Sequence, residues 1–316
     1  MSAVGSPAFL PPAAFVRSPE ALRRAWPAEE GRAYTRWLAT NHYENFHVVS
    51  FLLPKRLHQD FYNVYAYCRW ADDLADEIGD TSESLRLLTW WRAELDAMYQ
   101  GHATHPVFAA LSSTVAQYAI PQQPFSDLLD AFVQDQTVMR YRNWEEVYGY
   151  CRNSANPVGR LILYLGGYSD AARQRLSDAT CTALQLANFW QDVTVDLLKD
   201  RVYIPLEVME RCGYTLEELF ARRFTPAFAA VMREVVERAR ELFLEGLPLS
   251  GMVDRRLAID LDLFSRGGMR VLEKIEQQGY DVLAARPAIS KVERVGLLIG
   301  SVARVAFSTS GGRRAA

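Results

Sequence analysis

Apolar residues recur at three- and four-residue steps through nearly the whole chain, and strand-like alternation bounded by turn signals is hard to find. That period predicts an all-α protein. The predicted helices cover 33–41, 56–78, 83–99, 106–118, 125–139, 144–165, 170–198, 205–211, 216–221, 226–245, 254–279 and 288–306. Gly101, Pro121, Pro124, Gly166, Gly167, Pro205, Gly246 and Pro287 punctuate them. No internal Pro/Gly/Ser linker and no fixed-period repeat divides the series, so residues 31–307 read as one helical domain. Residues 1–30, interrupted by Pro7, Pro11, Pro12, Pro19 and Pro27, read as a disordered leader, and 308–316 as a flexible tail.

Composition narrows the class. Lys plus Arg number 35 against 38 Asp plus Glu, a formal charge of -3, which leaves no basic field for a nucleic-acid backbone. A nucleic-acid partner is therefore not expected. With 49% hydrophobic and 23% charged residues, the chain can bury a sizeable core. The cysteines Cys68, Cys151, Cys181 and Cys212 are far apart with no CxxC pair, so neither a zinc site nor a disulfide framework is suggested, and a reducing compartment fits. No apolar run is long enough for a membrane span. The nearest, 295–307, is short and carries Arg304. The expectation is a cytoplasmic protein, with peripheral contact to the inner face of the membrane left open.

The segment YAYCRWADDLADE is the first to carry chemistry. A rotation of about 100° per residue puts Phe61, Tyr65, Cys68, Asp72 and Asp76 on one stripe and turns Asp73 and Glu77 away. That stripe is expected to face the core and to end in two carboxylates one turn apart, about 6 Å between Cβ atoms. Buried together they would repel and rise in pKa unless a cation lay between them, and a divalent metal is the natural one. A solvated acidic helix end is the plainer alternative.

A second segment, ALQLANFWQDVTVDLLKDRVYIP, repeats the pattern: Cys181, Gln185, Asn188, Asp192 and Asp196 share one stripe of an otherwise apolar helix. Hard oxygen donors without Cys or His select Mg²⁺ or Mn²⁺, and Mg²⁺ usually bridges carboxylates to substrate phosphates. Two such helices facing one cavity would clamp a diphosphate, with Lys199 and Arg201 following the second cluster.

The DDLAD of Asp72 to Asp76 and the NFWQDVTVD of Asn188 to Asp196 resemble the two motifs of the squalene and phytoene synthase family, and the match extends from about His42 to Tyr280. The resemblance implies an isoprenoid synthase helical bundle with a central cavity, binding three Mg²⁺ ions and ionising an allylic or cyclopropylcarbinyl diphosphate. It places Asp72 and Asp76 in one part of the metal cluster and Asn188, Asp192 and Asp196 in the other. The strings HYENF, NSANPVGR, LANFWQDV and KDRVYIP resemble the hydroxysqualene synthase branch, which converts presqualene diphosphate to hydroxysqualene in hopanoid biosynthesis. That branch implies a prenyl diphosphate substrate, no NADPH, and pathway neighbours that make presqualene diphosphate and reduce hydroxysqualene. Condensing family members typically carry Arg directly before the aspartate matched by Asp192, whereas this chain has Gln191, which cannot neutralise charge.

Other positions carry a plain alternative beside the functional one. Arg69 is a candidate diphosphate ligand or an ordinary Arg–Asp helix partner, and Lys199 and Arg201 are diphosphate ligands or a solvated basic turn. Tyr65 and Tyr150, in positions the family places in the cavity, would stabilise carbocations through their ring faces, or are core aromatics. Pro157 is expected to kink its helix and free a carbonyl near Asn153. Asn153 and Asn156 would then position water, or serve as caps, and Gln191 is a further water-holding candidate. His42 and Glu44 belong to a possible cavity rim, and the five histidines form no ligand set. The rival readings are a condensing presqualene diphosphate or phytoene synthase and, from another class, a noncatalytic helical assembly factor.

Overall fold

The computed structural model describes residues 9–41 and 54–311. The HYENF string, with His42 and Glu44, lies outside the described residues. Every regular element among the described residues is helical, and one isolated parallel bridge joins Arg140 to Val202. The chain groups into two compact units, Met1–Gln136 and Thr137–Ala316. The division falls in a short turn, which is why no linker composition marks it.

The first unit holds α1 (Pro12–Phe15), α2 (Pro19–Arg23), α3 (Ala28–Asn41), α4 (His58–Asp76), α5 (Thr81–Tyr99), α6 (Pro106–Tyr118) and α7 (Gln123–Gln134). The expected loose leader is corrected over its described part. Phe15 and Trp26 are buried, Tyr34 donates to the Leu10 carbonyl at 2.9 Å, and Phe15 meets Trp70 edge-on at 5.2 Å. The prolines interrupt long helices but permit two short ones, each with Pro in its first turn.

A buried polar network sets the register of α4. Thr35 donates to Asn63 Oδ1 at 2.7 Å, and Asn63 donates to the Ala110 carbonyl at 3.2 Å and to Thr114 at 3.0 Å. Thr114 in turn donates to Asp60 at 2.8 Å, so α3, α4 and α6 are tied by satisfied groups rather than by shape alone.

His105 caps α6, its Nδ1 accepting from the Val107 amide at 3.3 Å, and its ring stands edge-on to Trp70 and Trp91 at 4.5 and 4.9 Å. Burial holds its pKa well below the ordinary value. Below pH 6.5 the unfolded chain therefore takes up a proton that the folded chain refuses, and falling pH favours unfolding. Urea unfolding between pH 6.5 and 5 should show His105→Phe losing up to about 2 kcal/mol less stability than the wild type. Identical pH dependence of the two proteins would contradict this.

The second unit holds α8 (Trp144–Ser154), α9 (Asn156–Leu165), α10 (Ala171–Gln191), α11 (Val193–Asp196), α12 (Leu206–Cys212), α13 (Leu216–Phe220), α14 (Pro226–Gly246), α15 (Arg255–Gln277) and α16 (Lys291–Gly311). The single helix expected over 144–165 breaks at Ala155, because Pro157 lies in the first turn of α9 and cannot continue a helix begun upstream. The helix α16 extends to Gly311, into the stretch expected to be a tail.

α10 is the centre of this unit, packed by α9, α14 and α15. The NSANPVGR string clamps it. Thr182 donates to Asn156 Oδ1 at 2.9 Å, and Arg160 makes a two-pronged pair with Asp178 at 3.0 and 2.6 Å. A Cβ at Gly159 would collide with Ser177 and Cys181, so only glycine lets α9 approach α10 this closely.

Candidate active site

The carboxylates of α4 are distributed differently from the sequence expectation. The core face of α4 is Asn63, Ala66, Tyr67, Trp70, Ala71 and Leu74, and the buried carboxylate beside it is Asp73, 1% exposed. The stripe expected to face the core, Phe61, Tyr65, Cys68 and Asp72, is half-buried, and Asp76 is exposed. The helix carries aromatic and alanine side chains all round, so periodicity defines stripes without saying which one the neighbouring helices cover.

Arg69 ties the acidic end together. Its guanidinium lies 3.3 Å from Asp72, 2.5 Å from Asp73 and 2.9 Å from Glu77, so in this state it serves as counterion to three carboxylates. Burial pushes Asp73 up to about 7, against the pull of Arg69 and with the push of Glu77 and Asp72. Burial also raises the Tyr65 hydroxyl above its ordinary range, partly offset by Arg69. The Ala75 carbonyl at the end of α4 accepts from Gln136 at 3.2 Å, which fixes the last turn.

In the second unit, Cys181, Gln185, Gln191, Asp192 and Asp196 are half-buried and Asn188 is exposed, while Leu186, Ala187, Phe189 and Trp190 on the other faces are buried. Asp192 sits at the junction of α10 and α11. Its amide still donates to the Asn188 carbonyl at 2.9 Å and its own carbonyl accepts from Asp196, so the stripe passes the break with little change of direction. Among the described residues, no three of His, Cys, Asp and Glu come together as a ready metal cluster.

Sequence reasoning missed Arg286. Its guanidinium makes a two-pronged pair with Asp192, one contact short and the other 3.2 Å, and Gln191 Nε2 donates to the adjacent Pro287 carbonyl at 2.5 Å. The loop between α15 and α16 is thus fastened to the end of α10. The positive charge on Asp192 comes from a residue 94 positions further along the chain. No periodic signal in the sequence marks a lone arginine in a proline-punctuated loop.

Tyr150 is buried in an aromatic cluster that sequence reasoning saw only in part. Tyr203 stacks on Phe189 with centroids 3.7 Å apart and planes at 4°, and Tyr150 lies 5.6 Å from Tyr203 and 5.7 Å from Tyr141. Phe189, Tyr203, Asp196 and Arg201 line a cavity of about 10 Å³, at the lower limit for one water. Lys199 is exposed on the turn that follows, and the Arg201 amide donates to the Asp196 carbonyl at 2.9 Å. Asn153 is half-buried near the end of α8. Asn156, the other water candidate, is the buried partner of Thr182. A larger groove of about 470 Å³ runs past Tyr148, Arg152, Asp178 and Arg238, and of the candidate residues Asn156 alone borders it.

The described chain is thus helical throughout, with two stripes ending in aspartates and aromatic faces beside the second. The squalene/phytoene synthase family model matches residues 39–293, and the chain belongs to that family. It is 33% identical over 266 residues to a hydroxysqualene synthase of Rhodopseudomonas palustris, covering 83% of this chain and 89% of the relative. It is also 33% identical over 258 residues to a phytoene synthase of Thermus thermophilus, with coverages of 81% and 87%. The crystal structure of squalene synthase HpnC from Alicyclobacillus acidocaldarius superposes with a TM-score of 0.77 at 44% identity, covering 80% of this chain and 95% of that one. A dehydrosqualene synthase structure superposes at 0.78 with 23% identity, which establishes the shared helical isoprenoid synthase fold.

Proposed function

We propose that this protein ionises presqualene diphosphate in a Mg²⁺-dependent reaction and captures the rearranged cation with water, releasing hydroxysqualene and diphosphate. The observation that carries the reading is the pair of acidic stripes, half-buried Asp72 with exposed Asp76, and exposed Asn188 with half-buried Asp192 and Asp196. Their donor set fits Mg²⁺, being oxygen throughout, and the guanidinium already seated on Asp192 marks that carboxylate as a cation site. When bound, Mg²⁺ supplies Lewis-acid neutralisation of the departing diphosphate.

The rest falls to the chain's own side chains. The cyclopropylcarbinyl C–O bond breaks with its electron pair leaving on the diphosphate, and Arg69, Lys199 and Arg201 supply cations for that charge. The ring faces of Tyr65, Tyr150, Phe189 and Tyr203 stabilise the carbocation without adding to it. Amide groups such as Asn153 or Gln191 hold the water whose oxygen forms the new C–O bond, its proton passing to solvent. The strings of the hydroxysqualene synthase branch and the 33% identity to such an enzyme support this branch of the family.

One observation favours a second reading. Arg286 restores a cation beside Gln191, and a phytoene synthase is equally similar, so a head-to-head condensation of two prenyl diphosphates is the alternative. Incubation with Mg²⁺ and either presqualene diphosphate or farnesyl diphosphate, followed by product identification, separates the two.

The Arg286–Asp192 pair also bears on metal loading. A half-exposed ion pair worth about 1 kcal/mol competes with Mg²⁺ for Asp192, so its removal should lower the required Mg²⁺ about fivefold. In Arg286→Met, Mg²⁺ alone should raise the Tm at correspondingly lower concentration than in the wild type. An unchanged or higher requirement would contradict the competition.

A further inference from the structure

The C-terminal helix α16 is oriented with its polar side inward. Arg304 reaches Asp262 of α15 at 2.8 Å, Glu293 is held by Arg270 at 2.6 Å and Lys274 at 3.0 Å, and Ser301 is fully buried. These contacts pin the helix to α15 at its first turn and again at Arg304, and fix its rotation. The opposite side then presents Val292, Val295, Ile299 and Val302, which are 82%, 57%, 65% and 38% exposed. On a helix of 3.6 residues per turn the four occupy an arc of about 80°. A helix that satisfies its charges against the protein while leaving a continuous β-branched stripe outside is built to cover that stripe with something else.

Charge identifies what covers it. From Lys291 to Ala316 the sequence carries five basic residues, Lys291, Arg294, Arg304, Arg313 and Arg314, and one acid, Glu293, in a chain of formal charge -3. The acid is the one already held by Arg270 and Lys274, whereas Lys291, at the edge of the stripe, and Arg294, about 80° further round, are exposed. Apolar side chains bordered on one side by a lysine, with a further exposed arginine on the same helix, match the headgroup region of an anionic bilayer. No helix among the described residues is long and apolar enough to cross a membrane, so the contact is one that lies on the surface.

We propose that α16 docks the protein on anionic lipid surfaces, inserting Val292, Val295, Ile299 and Val302 between headgroups while Lys291 and Arg294 meet lipid phosphates. The inference stands apart from the reaction assigned above. Its test is flotation of the full chain with vesicles of phosphatidylcholine alone or with phosphatidylglycerol added.

The wild type should bind the anionic vesicles, and added salt should weaken binding. Val295→Glu with Ile299→Glu should lower the bound fraction at least about tenfold with an unchanged Tm, both positions being exposed. Lys291→Glu with Arg294→Glu should remove the preference for phosphatidylglycerol. Absence of vesicle binding, or binding that ignores both pairs of substitutions, would overturn the proposal. So would a wild-type dimer in gel filtration that Val295→Glu with Ile299→Glu converts to monomer, since the stripe would then be covered by a second copy.

Discussion

Asp192→Ala and Asp72→Ala should each lower turnover by about 10³-fold or more, with a far-UV circular dichroism spectrum like that of the wild type. Neither side chain belongs to the apolar core. Asp72 is half-buried at the edge of α4, where Arg69 retains Asp73 and Glu77 as partners after the substitution. At Asp192 the backbone bonds that join α10 to α11 do not involve the carboxylate. What each variant loses is a carboxylate for the cations that must neutralise a leaving diphosphate, so the defect should lie in chemistry and in metal dependence. The same holds for Asp76→Ala and Asp196→Ala, and a chelator should stop the wild-type reaction until Mg²⁺ is restored. Turnover within tenfold of the wild type in Asp192→Ala, or full activity in chelator, would remove the metal assignment.

The second large effect is substrate discrimination. Presqualene diphosphate should be consumed at least about 100-fold faster than farnesyl diphosphate is condensed, a difference of about 2.7 kcal/mol in activation free energy. A condensing enzyme must ionise one diphosphate while holding a second intact. In that task a fixed cation preceding the second-motif aspartate would be expected to matter, and this chain has Gln191 there, its amide already committed to Pro287. Arg286 supplies charge on Asp192 from the other side, which makes Gln191→Arg the informative variant. If the missing cation separates the two tasks, that variant should gain condensation of farnesyl diphosphate. Comparable wild-type rates on the two substrates would place the enzyme in the condensing branch.

The all-α class and the helices carrying the two acidic motifs were legible from periodicity. Other features were not. The burial of Asp73 rather than the Asp72 stripe depends on which neighbours cover an all-round apolar helix, and that is a tertiary fact. Arg286 reaches Asp192 across 94 residues, and no local pattern encodes such a contact. The stacking of Tyr203 on Phe189 lies inside recognised strings, yet strings do not specify ring geometry. Conversely, part of the NSANPVGR string turned out to clamp α9 to α10 through Asn156, Gly159 and Arg160, a packing role that accounts for those residues without chemistry. The short leader helices were missed because proline was read as a breaker where it stands in a first turn.

The central claim is that water ends the reaction of a preformed diphosphate. Its most direct test is a single incubation of the purified protein with Mg²⁺ and presqualene diphosphate in H₂¹⁸O, without a nicotinamide cofactor, followed by mass spectrometry of the organic product. The account predicts an alcohol whose hydroxyl oxygen carries ¹⁸O. An unlabelled product, or no product until NADPH is added and squalene then forms, would contradict it.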